Sequence, residues 1–229
     1  MKKNILIIGS NSRIGSEVIK LSNHKGDNIF ATSRSPIDIP VNKFFQLDPN
    51  EDLSDLDSLP ESIDALVYCP GSISLKSIQR MNISDIREDF RINFEGAFHI
   101  IKKVLPNLKR DDGASVVFVS SVAANTGMTF HSSISASKAA LEGFARSLSA
   151  ELAPRVAVNC IAPSLTDTPM AEHLINNENK LKSSEDRHPL NAIGDPESVA
   201  KVIYNLFSAK ENWITGQTIN IDGGLSTLR

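Results

Sequence analysis

Two glycines and two arginines stand where this chain could grip a phosphate. The segment GSNSRIGS, from Gly9 to Ser16, follows a short apolar run and leads into a helical pattern. A tight turn at such a place aims backbone N–H groups and the positive end of the helix dipole at a pyrophosphate. Gly9 would make the turn and Gly15 would let the helix pack close, with Ser12, Arg13 and Ile14 as the intervening backbone. Two glycines at a strand–helix turn also occur in proteins that bind nothing; the position, directly after a first strand, gives this loop its weight. The next apolar run closes on Ser33 and Arg34. A site for NAD usually carries an acid there, for the ribose 2′-hydroxyl. A guanidinium suits a 2′-phosphate instead, through bidentate charge-assisted bonds. Arg34, helped by Arg13, therefore favours NADP(H) over NAD(H). The alternative is a pair of solvated surface arginines.

A second group lies in HSSISASKAALEG, from His131 to Gly143. His131 precedes Lys138 by seven residues and Ile134 precedes it by four. If the helix starts early, all three share one face. Histidine titrates near neutrality and so suits a proton donor. The alternative leaves His131 in the preceding loop, capping or lining it.

The elements that must position these groups alternate along the chain. Short apolar runs occupy Asn4–Gly9, Asn28–Ser33, Lys43–Leu47, Ala65–Cys69, Ser115–Ser120, Val156–Ala162 and Gln217–Asp222. Most are apolar throughout, as strands buried on both faces are. Helical patterns start near Ile14, cover roughly Ser84–Leu105 and Ile134–Leu152, and begin again at Pro196 behind an Asp195 N-cap. The expected fold is one doubly wound Rossmann α/β domain over residues 1–229, with about seven mostly parallel strands and helices on both faces. The acidic, proline-punctuated stretch after the third run predicts a short helix or loop in place of a crossover helix. The polar segment Met170–Pro189 predicts a lid.

Composition fits this reading. The 229 residues are 41% hydrophobic and 22% charged, with a net charge of −3 and no basic block. Nucleic-acid and membrane-surface roles find little support there. No apolar stretch is long enough to span a bilayer, and the first run is too short for a signal peptide. A cytoplasmic protein is expected, with Cys69 and Cys160 as buried free thiols. No metal is called for.

The motifs, in order, resemble those of the short-chain dehydrogenase/reductase family, especially the 3-oxoacyl carrier protein reductases. The resemblance spans nearly the whole chain. GSNSRIG resembles the family's glycine loop. Asp48 matches an acid that contacts the adenine, and Gly71 closes YCPG where the family has Asn-Asn-Ala-Gly. INFEGAF carries the helix asparagine, Asn93; FVSSVAA carries Ser121; Lys138 matches the family's lysine. APSLTDTPM, with Pro163 and Thr168, resembles the segment that touches the nicotinamide. WITGQTINIDGG is a characteristic ending. The resemblance implies that serine hydrogen-bonds the substrate oxygen, lysine holds the nicotinamide ribose, and asparagine fixes a water relay. It also implies a homodimer or homotetramer paired through the two long helices, whose apolar residues include Phe90, Phe94, Phe98, Leu141, Phe144 and Leu148.

The departures bear on chemistry. Arg13 replaces the middle glycine of the loop, Tyr68, Cys69 and Pro70 replace Asn-Asn-Ala, and Ser164 replaces a glycine. Ile134 stands where the family has its catalytic tyrosine, thirteen residues after Ser121 and four before Lys138. Isoleucine has no proton to give, and losing a positioned acid typically costs ~10²–10⁴ in rate. Either His131 or a water held by Lys138 and Ser121 takes its part, or the site binds without turnover. The favoured expectation is an NADP(H)-dependent oxidoreductase acting on a carbonyl or alcohol of a small molecule by a modified proton route. Reduction of a C=C bond is a variant of it. A non-catalytic NADP(H)-binding relative, as sensor or inactive partner, is the alternative. A structural protein without cofactor fits poorly with Asn93, Ser121 and Lys138 together.

Overall fold

The computed structural model describes residues 2–108, 113–208 and 213–228. Seven strands, β1 (Asn4–Ile8), β2 (Asn28–Ser33), β3 (Lys43–Gln46), β4 (Ala65–Tyr68), β5 (Ala114–Val119), β6 (Val156–Pro163) and β7 (Thr218–Ile221), form one sheet. Their order is β3-β2-β1-β4-β5-β6-β7, and every pairing is parallel. The apolar runs explain this. A strand covered on both faces must be apolar at every position, and Ile5, Leu6, Ile7 and Ile8 are all fully buried. Alternate residues feed two cores. Leu6, Ile8, Leu66, Val116, Phe118 and Val158 pack on one side, and Ile5, Ile7, Val67, Val117 and Ile161 on the other. The strand order reverses between β1 and β4, and such a reversal opens a crevice at the carboxyl ends of the strands.

Helices α1 (Arg13–Lys25) and α7 (Pro196–Ser208) cover the second face. Ser12 caps α1, its Oγ accepting from the Gly15 N–H, and Gly26 ends the helix in the left-handed region at φ 80°. Asp195 caps α7 as expected, accepting from the N–H groups of Glu197 and Ser198. After β3, a single 3₁₀ turn at Ser54–Ser58 replaces a crossover helix, as the acidic stretch predicts. The Met170–Pro189 segment forms two short helices, α5 (Glu172–Ile175) and α6 (Glu178–Glu185).

The other face carries three corrections. The helix expected over Ser84–Leu105 is two, α2 (Ile83–Phe90) and α3 (Gly96–Leu108), joined by a π-turn at Arg91–Glu95. The Gly96 N–H reaches back five residues to the Arg91 carbonyl. The Tyr68 hydroxyl donates to the Ile92 carbonyl at 3.0 Å, so a buried phenol serves a carbonyl in the widened turn. A Cβ on Gly96 would lie 2.5 Å from that phenol oxygen. Only glycine lets the phenol approach so closely. Helix α4 (Ser132–Leu152) starts two residues earlier than the pattern suggests. Leu141 and Leu148 do not face outward for a partner: they belong to the core. Phe98, 42% exposed, does face outward. Among the described residues no helix is long and apolar enough to cross a membrane.

Candidate active site

A cleft of about 850 Å³ opens at the carboxyl ends of β1, β2, β4, β5 and β6. Its lining includes Gly9, Ser12, Arg13, Ile14, Ser33, Arg34, Asp48, Gly71, Ser121, His131, Ile134, Lys138, Pro163 and Thr168. Gly15 and Asn93, the remaining residues singled out in the sequence, sit just behind this wall, both buried. Residues from 9 to 168 therefore converge on one space.

The glycine turn is a cradle that a Cβ would fill. Gly9 has φ 74°, and a Cβ there would come within 2.9 Å of Pro70. A Cβ on Gly15 would come within 2.7 Å of the Gly9 carbonyl oxygen and 2.9 Å of Ser12 Oγ. The first turn of α1 can thus present its N–H groups to the cleft without a side chain intervening. Arg13 stands exposed at the helix start, 3.7 Å from the Glu17 carboxylate. Arg34 is exposed at the end of β2. Ser33 is buried beside it, its hydroxyl donating to the Ser35 carbonyl. Asp48 accepts from the Asn50 N–H at 2.9 Å and lies 3.8 Å from the Arg91 guanidinium.

At the other end, Lys138 is 5% exposed, and its Nζ donates to the Val119 carbonyl at 2.7 Å. Burial pulls its ammonium down to about 8, opposed by Cys160, Cys69, Glu142 and Asp89. The Cys69 and Cys160 thiols are themselves pushed up to about 12 by burial, so both are inert free thiols. A Cβ on Gly71 would lie 3.5 Å from Lys138 Nζ and 3.4 Å from Asn93 Oδ1. The Asn93 amide accepts from the Ser72 N–H at 3.1 Å and donates to Ser137 Oγ, also at 3.1 Å. Ser72 Oγ donates to Asp89 at 2.6 Å, and the other Asp89 carboxylate oxygen is buried without a partner.

Ser121 caps a 3₁₀ turn at Val122–Ala124. Its turn is anchored from below by the buried Glu142 carboxylate, which accepts from Ser120 Oγ at 2.6 Å and from the Asn125 amide at 2.7 Å. Ile134 is 3% exposed, one helical turn before Lys138. His131 stops short of the helix: its backbone is non-helical, and its Nδ1 lies 2.7 Å from the Thr129 carbonyl. It is the N-cap residue of α4, its carbonyl accepting from the Ser135 N–H at 2.8 Å, and it lines the cleft along with Ile134 and Lys138. Ser72, Asp89 and Glu142 escaped the sequence reading. Asp89 precedes Asn93 by four residues and could have been sought on that spacing.

The fold is that of the doubly wound α/β proteins, with the cleft at the switch point of the sheet. A family profile described as enoyl-(acyl carrier protein) reductase matches residues 53–226. The 3-oxoacyl-acyl-carrier-protein reductase FabG of Thermotoga maritima is 32% identical over 238 residues, covering 96% of each chain. The chain belongs to the short-chain dehydrogenase/reductase family and is similar to these reductases. The ligand-free aldohexose dehydrogenase of Thermoplasma acidophilum superposes with a TM-score of 0.92 at 25% identity, over 100% of this chain and 95% of that one. ElxO, solved with NADP bound, gives 0.89 at 24% identity, over 98% and 99%.

Proposed function

We propose that the protein binds NADP(H) in this cleft and transfers hydride to or from a small-molecule carbonyl or alcohol, by a proton route that uses no tyrosine. The cleft fits such a dinucleotide. The Gly9–Gly15 cradle suits the pyrophosphate, Arg34 and Arg13 suit a 2′-phosphate, and Asp48 stands where an adenine would lie. Bound there, the nicotinamide supplies or accepts the hydride. Lys138 holds the ribose, Pro163 and Thr168 flank the nicotinamide, and Ser121 donates to the substrate oxygen. That a FabG is a near relative and that ElxO holds NADP both support this reading.

One observation carries it. Lys138 is buried at the cleft floor, beside an Asn93–Ser72–Asp89 hydrogen-bond network. A buried amine is costly unless it is paired and hydrogen-bonded, and perturbed ionisable groups in a cleft cluster at functional sites. A second reading, binding without turnover, is favoured by the buried isoleucine at position 134.

Titration with NADPH and NADH, followed by turnover on a carbonyl panel, tests both. Ile134→Tyr then sorts them. If only the acid is missing, the variant gains up to ~10²–10⁴-fold in carbonyl reduction. If another route operates, the ring obstructs it and native activity falls. A non-catalytic binder holds NADPH and reduces nothing in either form. Failure to bind either nicotinamide cofactor refutes both readings. We further propose a cytoplasmic homodimer or homotetramer, joined through the helices that carry Phe90, Phe94, Phe98 and Phe144.

A further inference from the structure

Ser164 and His188 form a hydroxyl–imidazole pair on the wall of the same cleft. Ser164 follows the last residue of β6, in the place where the family pattern has glycine. Its N–H donates to the Ile221 carbonyl at 3.2 Å, which fixes the backbone, and the residue lines the cleft. His188 lies behind it, 2% exposed. Its Nε2 is 2.9 Å from Ser164 Oγ, and its Nδ1 is 2.7 Å from the Ser184 carbonyl oxygen. A carbonyl can only accept, so Nδ1 carries the hydrogen. In the neutral ring Nε2 is then bare and accepts from the serine hydroxyl. A hydroxyl, a base and a carbonyl that orients the base make the arrangement by which a hydroxyl exchanges protons.

Topology sets this pair beside the other functional side chains. Strands β5 and β6 are parallel neighbours with Val119 opposite Ile161. The Ser120 N–H donates to the Ile161 carbonyl at 2.7 Å. Just beyond, Ser121 leaves one strand and Ser164 the other, and both line the cleft. Lys138 is tied to Val119 on the same strand end. Lys138, Ser121 and Ser164 thus share the carboxyl ends of one strand pair and one cleft, whose Ile134 wall offers no proton.

We propose that Ser164 and His188 relay the substrate proton, in place of the absent phenol. This rests on the hydride-transfer reading above. In alcohol oxidation the substrate O–H proton passes to Ser164 Oγ while the serine proton passes to His188 Nε2. The substrate C–H leaves as hydride, with both electrons, to the nicotinamide acceptor, and the C–O bond becomes a carbonyl. The histidinium keeps its Nδ1–H on Ser184. In reduction each transfer runs backwards: Ser164 protonates the alkoxide and takes its own proton back from Nε2–H. Asp222, in the turn after β7, lies near enough for its carboxylate to attract the histidinium. Ser164 touches substrate; His188 acts through it and is a positioning residue.

The test compares wild type, Ser164→Ala, Ser164→Thr and His188→Gln. It uses NADPH titration, reduction of ketones, aldehydes and β-keto esters, and ¹⁵N NMR of the histidine rings. On whichever carbonyl the wild type reduces, Ser164→Ala should lose ~10²-fold or more in kcat with KM and NADPH affinity little changed, and Ser164→Thr should recover most of it. His188 should show a protonated Nδ1 and a bare Nε2, whose resonance shifts in Ser164→Ala. Where His188→Gln does not fold, Ser164→Ala and the NMR signature carry the test. Wild-type kcat in Ser164→Ala, or a His188 ring indifferent to that change, overturns the relay alone. A wild type that binds NADPH and reduces nothing overturns the hydride-transfer reading and the relay with it.

Discussion

Consider Lys138→Met, which keeps the stem of the side chain and removes its charge. Burial holds the folded ammonium at about 8, against 10.5 for an ordinary lysine. That gap corresponds to about 3 kcal/mol of penalty, at about 1.4 kcal/mol per unit. The folded pKa is the lower one. The unfolded chain therefore binds the extra proton between pH 8 and 10.5, and wild-type stability gains from this group as pH rises through that window. Below pH 8 the whole penalty is present, and above 10.5 none of it is. Methionine never incurs it, but leaves the Val119 carbonyl without its donor, at a cost of about 1–3 kcal/mol. The variant should then match or exceed the wild type by up to about 2 kcal/mol at pH 7, a gain of several degrees in Tm at about 2–4 °C per kcal/mol. At pH 10.5 it should be the less stable of the two. Thermal unfolding of both apo proteins by circular dichroism, from pH 6.5 to 10.5, reads the difference directly. A variant-minus-wild-type Tm that is flat across the window would refute the burial argument.

Arg34→Ala should weaken NADPH by about 10–100-fold, the worth of charged hydrogen bonds, and leave NADH nearly unchanged; equal losses, or tighter wild-type binding of NADH, would reject the 2′-phosphate assignment. Gly9→Ala should lower Tm and NADPH affinity together, since its Cβ meets Pro70 at 2.9 Å and its backbone is left-handed. Light scattering should find a dimer or tetramer, and Phe98→Asp should shift it towards monomer without changing the circular dichroism spectrum. A wild-type monomer would remove the assembly proposal.

What could be read in advance followed from local rules. A strand covered on both faces announces itself as an apolar run, so the seven strands were legible. The glycine turn was legible because only glycine fits positions such as Gly9. The π-turn was not. Apolar spacing runs on from Ile86 through Phe94 to Ile101 as in a single helix, and the phenol that serves the turn comes from Tyr68, 24 residues earlier. Asp89 reads as one more surface charge among Arg87, Glu88 and Arg91 until the fold sets it against Ser72. His188 sits in SSEDRHP, where nothing marks a buried residue; its partner Ser164 is 24 positions away. Contacts at that range have no periodicity to betray them.

The wide turn at Arg91–Glu95 also governs which changes of chain length this protein can accept. It holds the slack of one residue between two regular helices. Removing a residue there would let Ile83–Leu108 close into a continuous α-helix with α2 and α3 still in phase, because the wide turn spends five residues where an α-turn spends four. Asp89 would keep its place, but the Ile92 carbonyl would be taken into the helical ladder and the Tyr68 hydroxyl would lose its acceptor. The cleft would lose the widened backbone that carries Asn93 while both helices stayed in place. The wide turn can thus take up one residue without moving the helix on either side of it, which neither regular helix could do alone.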